Sequence, residues 1–393
     1  MQESDERRIF SFPVTAEVDK CRRRRVAEDG MDVLTLDDIE ALAIGAWILG
    51  TGGGGSPHHA LLSMRRLYQD GVRVELIDPQ DLADDDQIAV VSTQGAPLVT
   101  QERLTDSRAA ARAVEAMENH LGRRFRAVMG IEVGGANALQ PVMAAAHLGI
   151  PVVDADAMGR AYPEAQMTTF AVGNLHPAPL TSVDPRGNEV IVSAVANWEW
   201  MERISRRICT EFGSTAATCK APRWGCEVKQ WAVPNTTSRA IRLGKAVMEA
   251  NLTHADPIAA ILESEAGKRL FSGKIVEVER RTTGGFLLGR TVLEGLGQER
   301  GDRLEIAFQN EWVVAWRAGA PIASTPDLIC LLDSDTGEAI GTEAVRYGQR
   351  ATVIALPAPA LFLTPEGLNR VGPAAFGYDI PFKSVFGHEA HRS

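Results

Sequence analysis

The chain has 393 residues, of which 45% are hydrophobic and 23% charged, and its formal net charge is −10. The length supports a large core divided among about two or three domains, and the acidic balance argues against a nucleic-acid partner. No apolar run reaches membrane-spanning length, and five cysteines without a Cys-x-x-Cys pair argue against a disulfide framework or zinc knot and suit a reducing cytoplasm.

Residues 1–30 read as a polar, flexible tail carrying Lys20-Cys21-Arg22-Arg23-Arg24-Arg25, a solvated basic run. Residues 36–49 follow as a helix, with Thr35 as N-cap and Asp38 completing a capping box. The helix runs into Gly50-Thr51-Gly52-Gly53-Gly54-Gly55-Ser56-Pro57-His58-His59. Glycines here allow positive φ and close approach of backbone to a ligand. A dinucleotide fingerprint needs a strand before its glycines, and a P-loop needs a Gly-Lys-Ser/Thr end. Neither is present, so no nucleotide is expected. What remains is a nest of N–H groups before a second helix at 58–70, suited to an anion or a polar heterocycle, or else a plain helix–helix turn.

Strands at Val72–Ile77, Ile88–Ser92, Ala127–Ile131 and Pro151–Val153 then alternate with helices at 105–120 and 137–147. This alternation gives an α/β/α domain over 31–178 with a mostly parallel sheet, whose ligands sit beyond the strand C-termini. Two acidic motifs fall there: Glu132-Val133-Gly134-Gly135-Ala136-Asn137, and Asp154-Ala155-Asp156 leading to Arg160 and Glu164. Clustered Glu132, Asp154 and Asp156 can hold a cation, tune one another as acid and base, or accept hydrogen bonds from a ligand or a helix N-terminus. The structural alternatives are helix capping by Asp154 or Asp156, a salt bridge for Glu132 and a helix-dipole role for Glu164. Arg160 can pair with one of these acids or with a ligand carboxylate.

Residues 179–393 form a second region, with helices near 198–211, 237–250 and 256–265. Six strands follow, at Gly273–Arg281, Gly285–Leu293, Arg303–Gln309, Trp312–Arg317, Asp327–Leu332 and Ala351–Ala355. Their spacing suggests a β-barrel or sandwich. Phe308-Gln309-Asn310-Glu311-Trp312 sets two amides and an acid between strands, as a hairpin turn or as groups reaching an inter-domain cleft. Cys219 and Cys226 flank a short loop, where a thiolate nucleophile competes with an ordinary buried role. His58 and His59 are neighbours on a helix, so only one of them is expected to face a site.

Taken in order, Leu49–Gly55, Gln94-Gly95-Ala96-Pro97, Glu132–Asn137, Pro151–Asp156, Gly159–Glu164, Phe308–Glu311, Arg346–Arg350 and Val371-Gly372-Pro373 resemble the S-methyl-thiohydantoin desulfurase-like family. That former family of unknown function is often encoded beside or fused to hydantoinase/oxoprolinase enzymes. The resemblance spans about residues 33–380 and implies an α/β/α domain followed by a domain containing a β-barrel. Ser56 stands where the family is often acidic, and His58 where it is often aromatic.

The implied reaction is attack of water at C2 of a 2-(methylthio)-hydantoin bearing a propionate arm, releasing methanethiol and leaving a hydantoin. On that reading Asp154 or Asp156 is the acid/base, with Glu132 as partner, so Asp154→Asn should abolish turnover. The Thr51–Gly55 loop, Asn137, Glu164, Asn310 and Glu311 contact the ring, and Arg160 takes the propionate. A divalent metal would polarise water but is not required, and His58, Asp154 and Asp156 are its candidate ligands. The expected partners are a small cyclic amide, a hydantoinase/oxoprolinase-family protein and further copies of the chain. The alternative is an accessory subunit that binds a cyclic amide without turning it over.

Overall fold

The computed structural model describes residues 32–95, 99 and 106–387. The basic N-terminal run and the Ala96-Pro97 pair lie outside the described residues.

The first helix forms at Leu36–Leu49, where Thr35 and Asp38 make the expected capping box. Its flank is pressed against the helix Thr236–Thr253 by two glycines. A Cβ on Gly45 would lie 1.9 Å from the Ala240 carbonyl oxygen, and one on Gly244 would lie 1.9 Å from that of Ala41. This close crossing anchors the helix from which the glycine loop departs. Lys245 adds an ion pair of 2.6 Å to the same Asp38 that closes the capping box.

Eight strands make the first sheet: β1 (Asp32–Leu34), β2 (Val74–Ile77), β3 (Gln87–Gly95), β4 (Ala127–Gly130), β5 (Val152–Val153), β7 (Leu180–Val183), β8 (Glu189–Val192) and β9 (Thr215–Trp224), in the order β1-β2-β5-β4-β3-β9-β7-β8. Parallel pairing is confined to the four central strands β2, β5, β4 and β3. Both sides of this block are antiparallel, so the sheet is mixed. Helices Leu36–Leu49, His58–Gln69, Ala109–Leu121 and Leu139–Leu148 pack a large core on one face. The irregular segment 157–171, with Trp198, Val228 and Phe362, covers the other. A short ladder of β6 (Ala155–Asp156) with β10 (Val233–Pro234) branches away from the main sheet.

The second sheet is antiparallel and has seven strands: β11 (Lys268–Thr283), β12 (Phe286–Gly295), β13 (Arg303–Gln309), β14 (Glu311–Arg317), β15 (Ala320–Ser324), β16 (Leu328–Asp333) and β17 (Arg350–Leu356). Its order is β15-β14-β13-β12-β11-β17-β16. One core holds residues from all seven strands, among them Phe271, Leu293, Ile306, Trp312, Ala323, Ile329 and Val353. The sheet therefore curls around its own apolar face. No ladder joins the edge strands β15 and β16, so the expected barrel is a half-barrel.

Candidate functional site

The glycine loop sits where the two sheets meet. Thr51, Gly52, Gly54 and Gly55 all have positive φ. The half-barrel holds one side of the loop: Trp312 N donates to Thr51 O at 2.8 Å, and Thr342 N donates to Gly52 O at 3.0 Å. The turn after β4 holds the other, through Ala136 N donating to Gly54 O and Gly55 O at 3.1 and 2.9 Å. Beside this loop lies a cavity of about 590 Å³, lined in part by Gly53–Gly55, Glu132, Asn137, Glu164, Lys220 and Glu311. Among the described residues, the N–H groups of Gly54 and Gly55 donate to no protein acceptor.

Glu132 follows the end of β4 and is buried in the cavity wall. Its carboxyl accepts from the Asn137 side-chain amide, and from Tyr162 N at 3.2 Å. Asn137 is itself fixed, since its carbonyl oxygen accepts from Thr93 N at 2.7 Å. Burial pushes the Glu132 pKa up to about 8, against the lowering effect of these bonds. Glu311, at the start of β14, is buried too, and its Oε2 has no hydrogen-bond partner. Burial, and then the neighbouring Glu132, raise it well above the ordinary carboxylate range. Glu343 also lines the cavity, and burial lifts it to about 7. Glu164 is half-buried in the wall and is raised by burial. At neutral pH Glu132 and Glu311 are carboxylic acids that can donate protons.

Asp154 and Asp156 do not join them in the wall. The Asp156 carboxylate accepts from Val133 N at 2.6 Å and from Gly159 N at 2.9 Å, so it ties two loops together behind Glu132. Asp154 accepts from Ser238 N at 3.0 Å and so caps the helix Thr236–Thr253. The two acids diverge because β5 belongs to the main sheet and β6 to the short ladder. His58, Asp154 and Asp156 are not brought together as metal ligands, and among the described residues no three His, Cys, Asp or Glu side chains converge for a metal.

Arg160 is also elsewhere. It is 1% exposed, and its guanidinium donates to the carbonyls of Ala161, Pro326, Asp327 and Trp312 and to Thr51 Oγ1 at 2.6 Å. That exhausts its five N–H donors. Arg160 therefore fastens the glycine loop to the half-barrel and has none left for a propionate. Asn310 lines the cavity but spends its side chain on the hairpin, at φ 59° with Oδ1 accepting from Leu287 N at 2.8 Å. Both His58 and His59 line the cavity, because the helix begins there and its first turn faces the opening. Cys219 is buried, with its thiol pushed up to about 12, whereas Cys226 is exposed.

Lys220 was not singled out by the sequence. It stands on β9, opposite Val90 of β3, and its side chain lines the cavity. Burial lowers its pKa. The available signal was a single cation within Ala216-Ala217-Thr218-Cys219-Lys220-Ala221, a run of otherwise small, uncharged residues.

A crystal structure of a protein from Chromobacterium violaceum is similar in fold: it shares 24% identity with this chain at a TM-score of 0.75, covering 90% of this chain and 99% of that one. No curated protein matches. The S-Me-THD-like N-terminal domain matches residues 37–194, and the S-Me-THD-like C-terminal domain matches residues 196–385. The chain belongs to the S-methyl-thiohydantoin desulfurase-like family.

Proposed function

We propose that the chain hydrolyses an S-alkyl-thiohydantoin or related cyclic amide, with water attacking C2, a thiol leaving and a hydantoin remaining. The observation that carries this reading is Glu132, a carboxyl in the cavity wall that holds its proton at neutral pH. C2 of an S-alkyl isothiourea is a weak electrophile until the adjacent ring nitrogen is protonated. Glu132 supplies that proton. Its carboxylate then takes a proton from the water as oxygen bonds to C2. In the second half the same carboxyl protonates the departing sulfur and recovers a proton from the new hydroxyl, as the C–S bond breaks and C2 becomes a carbonyl. One water is consumed and one thiol released, and Glu132 ends as it began.

Other groups bind the ring. Gly54 and Gly55 offer N–H donors to a ring carbonyl, with Glu311 as a further neutral donor. Asn137 holds the Glu132 carboxyl in place through the opposite ends of one amide. None of these steps uses a metal, and the residues considered as its ligands do not converge.

The test is turnover of S-methyl-thiohydantoin propionate, thiohydantoin propionate and hydantoin propionate, with thiol, sulfide and ring-opened product recorded. Thiol from the first compound alone is expected. Ring opening of the hydantoin would overturn the reading, as would failure to release thiol together with ligand-induced thermal stabilisation, which would make the chain a binding subunit.

A further inference from the structure

Among the described residues, three lysine or arginine side chains stand at or beside the cavity, and two are spent on the fold. Arg160 donates all five of its N–H groups to protein acceptors. Arg206 pairs with Glu202, donates to Pro163 O at 2.8 Å and Gly285 O at 3.4 Å, and lies 4.1 Å over the Phe286 ring. Lys220 is different. Its ammonium makes no hydrogen bond or ion pair with a described residue, yet it lines the cavity. Its strand is locked between β3 and β7, and Ser92 Oγ and Thr218 Oγ1 pair at 3.0 Å on the neighbouring rungs. The backbone beneath the side chain is therefore fixed.

We infer that Lys220 is the anion anchor of this cavity and holds a carboxylate arm of the ligand. Burial lowers the Lys220 pKa, so the side chain holds its proton and charge best when a counter-charge meets it. Burial raises Glu132 to about 8 and Glu311 well above the ordinary range, and Glu202, the carboxylate that acts most on Lys220, is already paired with Arg206. A carboxylate brought in by the ligand closes the charge and leaves the acids free to donate. Glu132 and Lys220 then divide the work: the acid addresses the ring, and the lysine selects ligands with an acidic arm over neutral ones. The inference rests on the proposed chemistry for the ring, but not for the anion.

Calorimetry on the full chain separates the two. The probes are hydantoin-5-propionate, its primary amide, and glutarate, which has the acid groups but no ring. Wild type should prefer the propionate to the amide by about tenfold or more. Lys220→Met should erase that preference by weakening the propionate alone, and Lys220→Arg should restore part of it. Should the methionine variant not fold, Lys220→Gln is read in the same way. A preference that survives in Lys220→Met overturns the anchor, as does wild type showing no preference and no binding of glutarate. Glutarate bound by wild type and lost in Lys220→Met, with neither hydantoin bound, upholds the anchor and overturns the ring reading.

Discussion

The carboxyl group of Glu311 fills the space that a side chain on Gly53 would need: a Cβ there would lie 2.0 Å from Glu311 Oε1. The glycine loop is thus shaped by an acid from the other sheet as well as by its own φ angles. Gly53→Ala should push Glu311 out of place and cut turnover at least tenfold with only a modest drop in melting temperature. Gly149→Ala, outside the cavity wall, is the control, because nothing lies within 4 Å of a Cβ at that position. It should cost only about 1 kcal/mol for its positive φ. Equal turnover in the two variants would show that the Gly53–Glu311 contact is dispensable.

Glu132→Gln keeps the shape and removes the acid. Turnover should fall by about 10²–10⁴-fold. In the wild-type protein, activity that needs the protonated carboxyl should decline as pH rises through about 8. Stability carries the same sign. The folded pKa lies above the ordinary 4.5, so the native state keeps a proton that the unfolded chain releases. The contribution of this group is fully present below pH 4.5 and is lost as pH rises to about 8. Denaturant midpoints from pH 5 to 8 should therefore fall less in Glu132→Gln than in wild type.

Asp154 caps a helix, so its variants should behave as cap variants. Asp154→Ala should lose about 1 kcal/mol of stability. Asp154→Asn, which retains an acceptor for Ser238 N, should stay folded and keep most of its turnover. Abolished activity in folded Asp154→Asn would return this residue to the chemistry.

At the helix crossing, Gly244→Ala places a methyl group 1.9 Å from the Ala41 carbonyl oxygen. The two helices must part, at a cost of about 1–3 kcal/mol. Since the glycine loop leaves the end of the displaced helix, turnover should fall along with the melting temperature. A thermal scan and the thiol assay check both.

Local signals were legible in the sequence. Thr35 and Asp38 mark the start of the first helix within four residues of each other, and the Glu132 motif stands out because a strand end is followed at once by glycines. Asp154 and Asp156 look equivalent in the sequence because nothing local separates them. Their partners, Ser238, Val133 and Gly159, lie in distant segments. Arg160 was read as a ligand contact because its acceptors are mostly backbone carbonyls, which carry no residue signature. Strand β9, with Lys220, was missed because Thr-Ala-Ala-Thr-Cys-Lys-Ala-Pro lacks the β-branched apolar run that marks a strand. Small residues serve there because neighbours crowd both faces of the sheet.

Strand β9 lies between β3 and β7. Yet β3 and β7 fall in the segment matched by the N-terminal family domain, and β9 falls in the one matched by the C-terminal domain. Each segment alone encodes a sheet with a gap or a strand without its neighbours, and β9 also brings Lys220 to a cavity whose Glu132 comes from the other segment. The two segments are therefore a poor unit for exchange: a lineage that replaced one half by recombination would have to replace the matching half with it, and a split gene would yield two products that must find each other before either is finished.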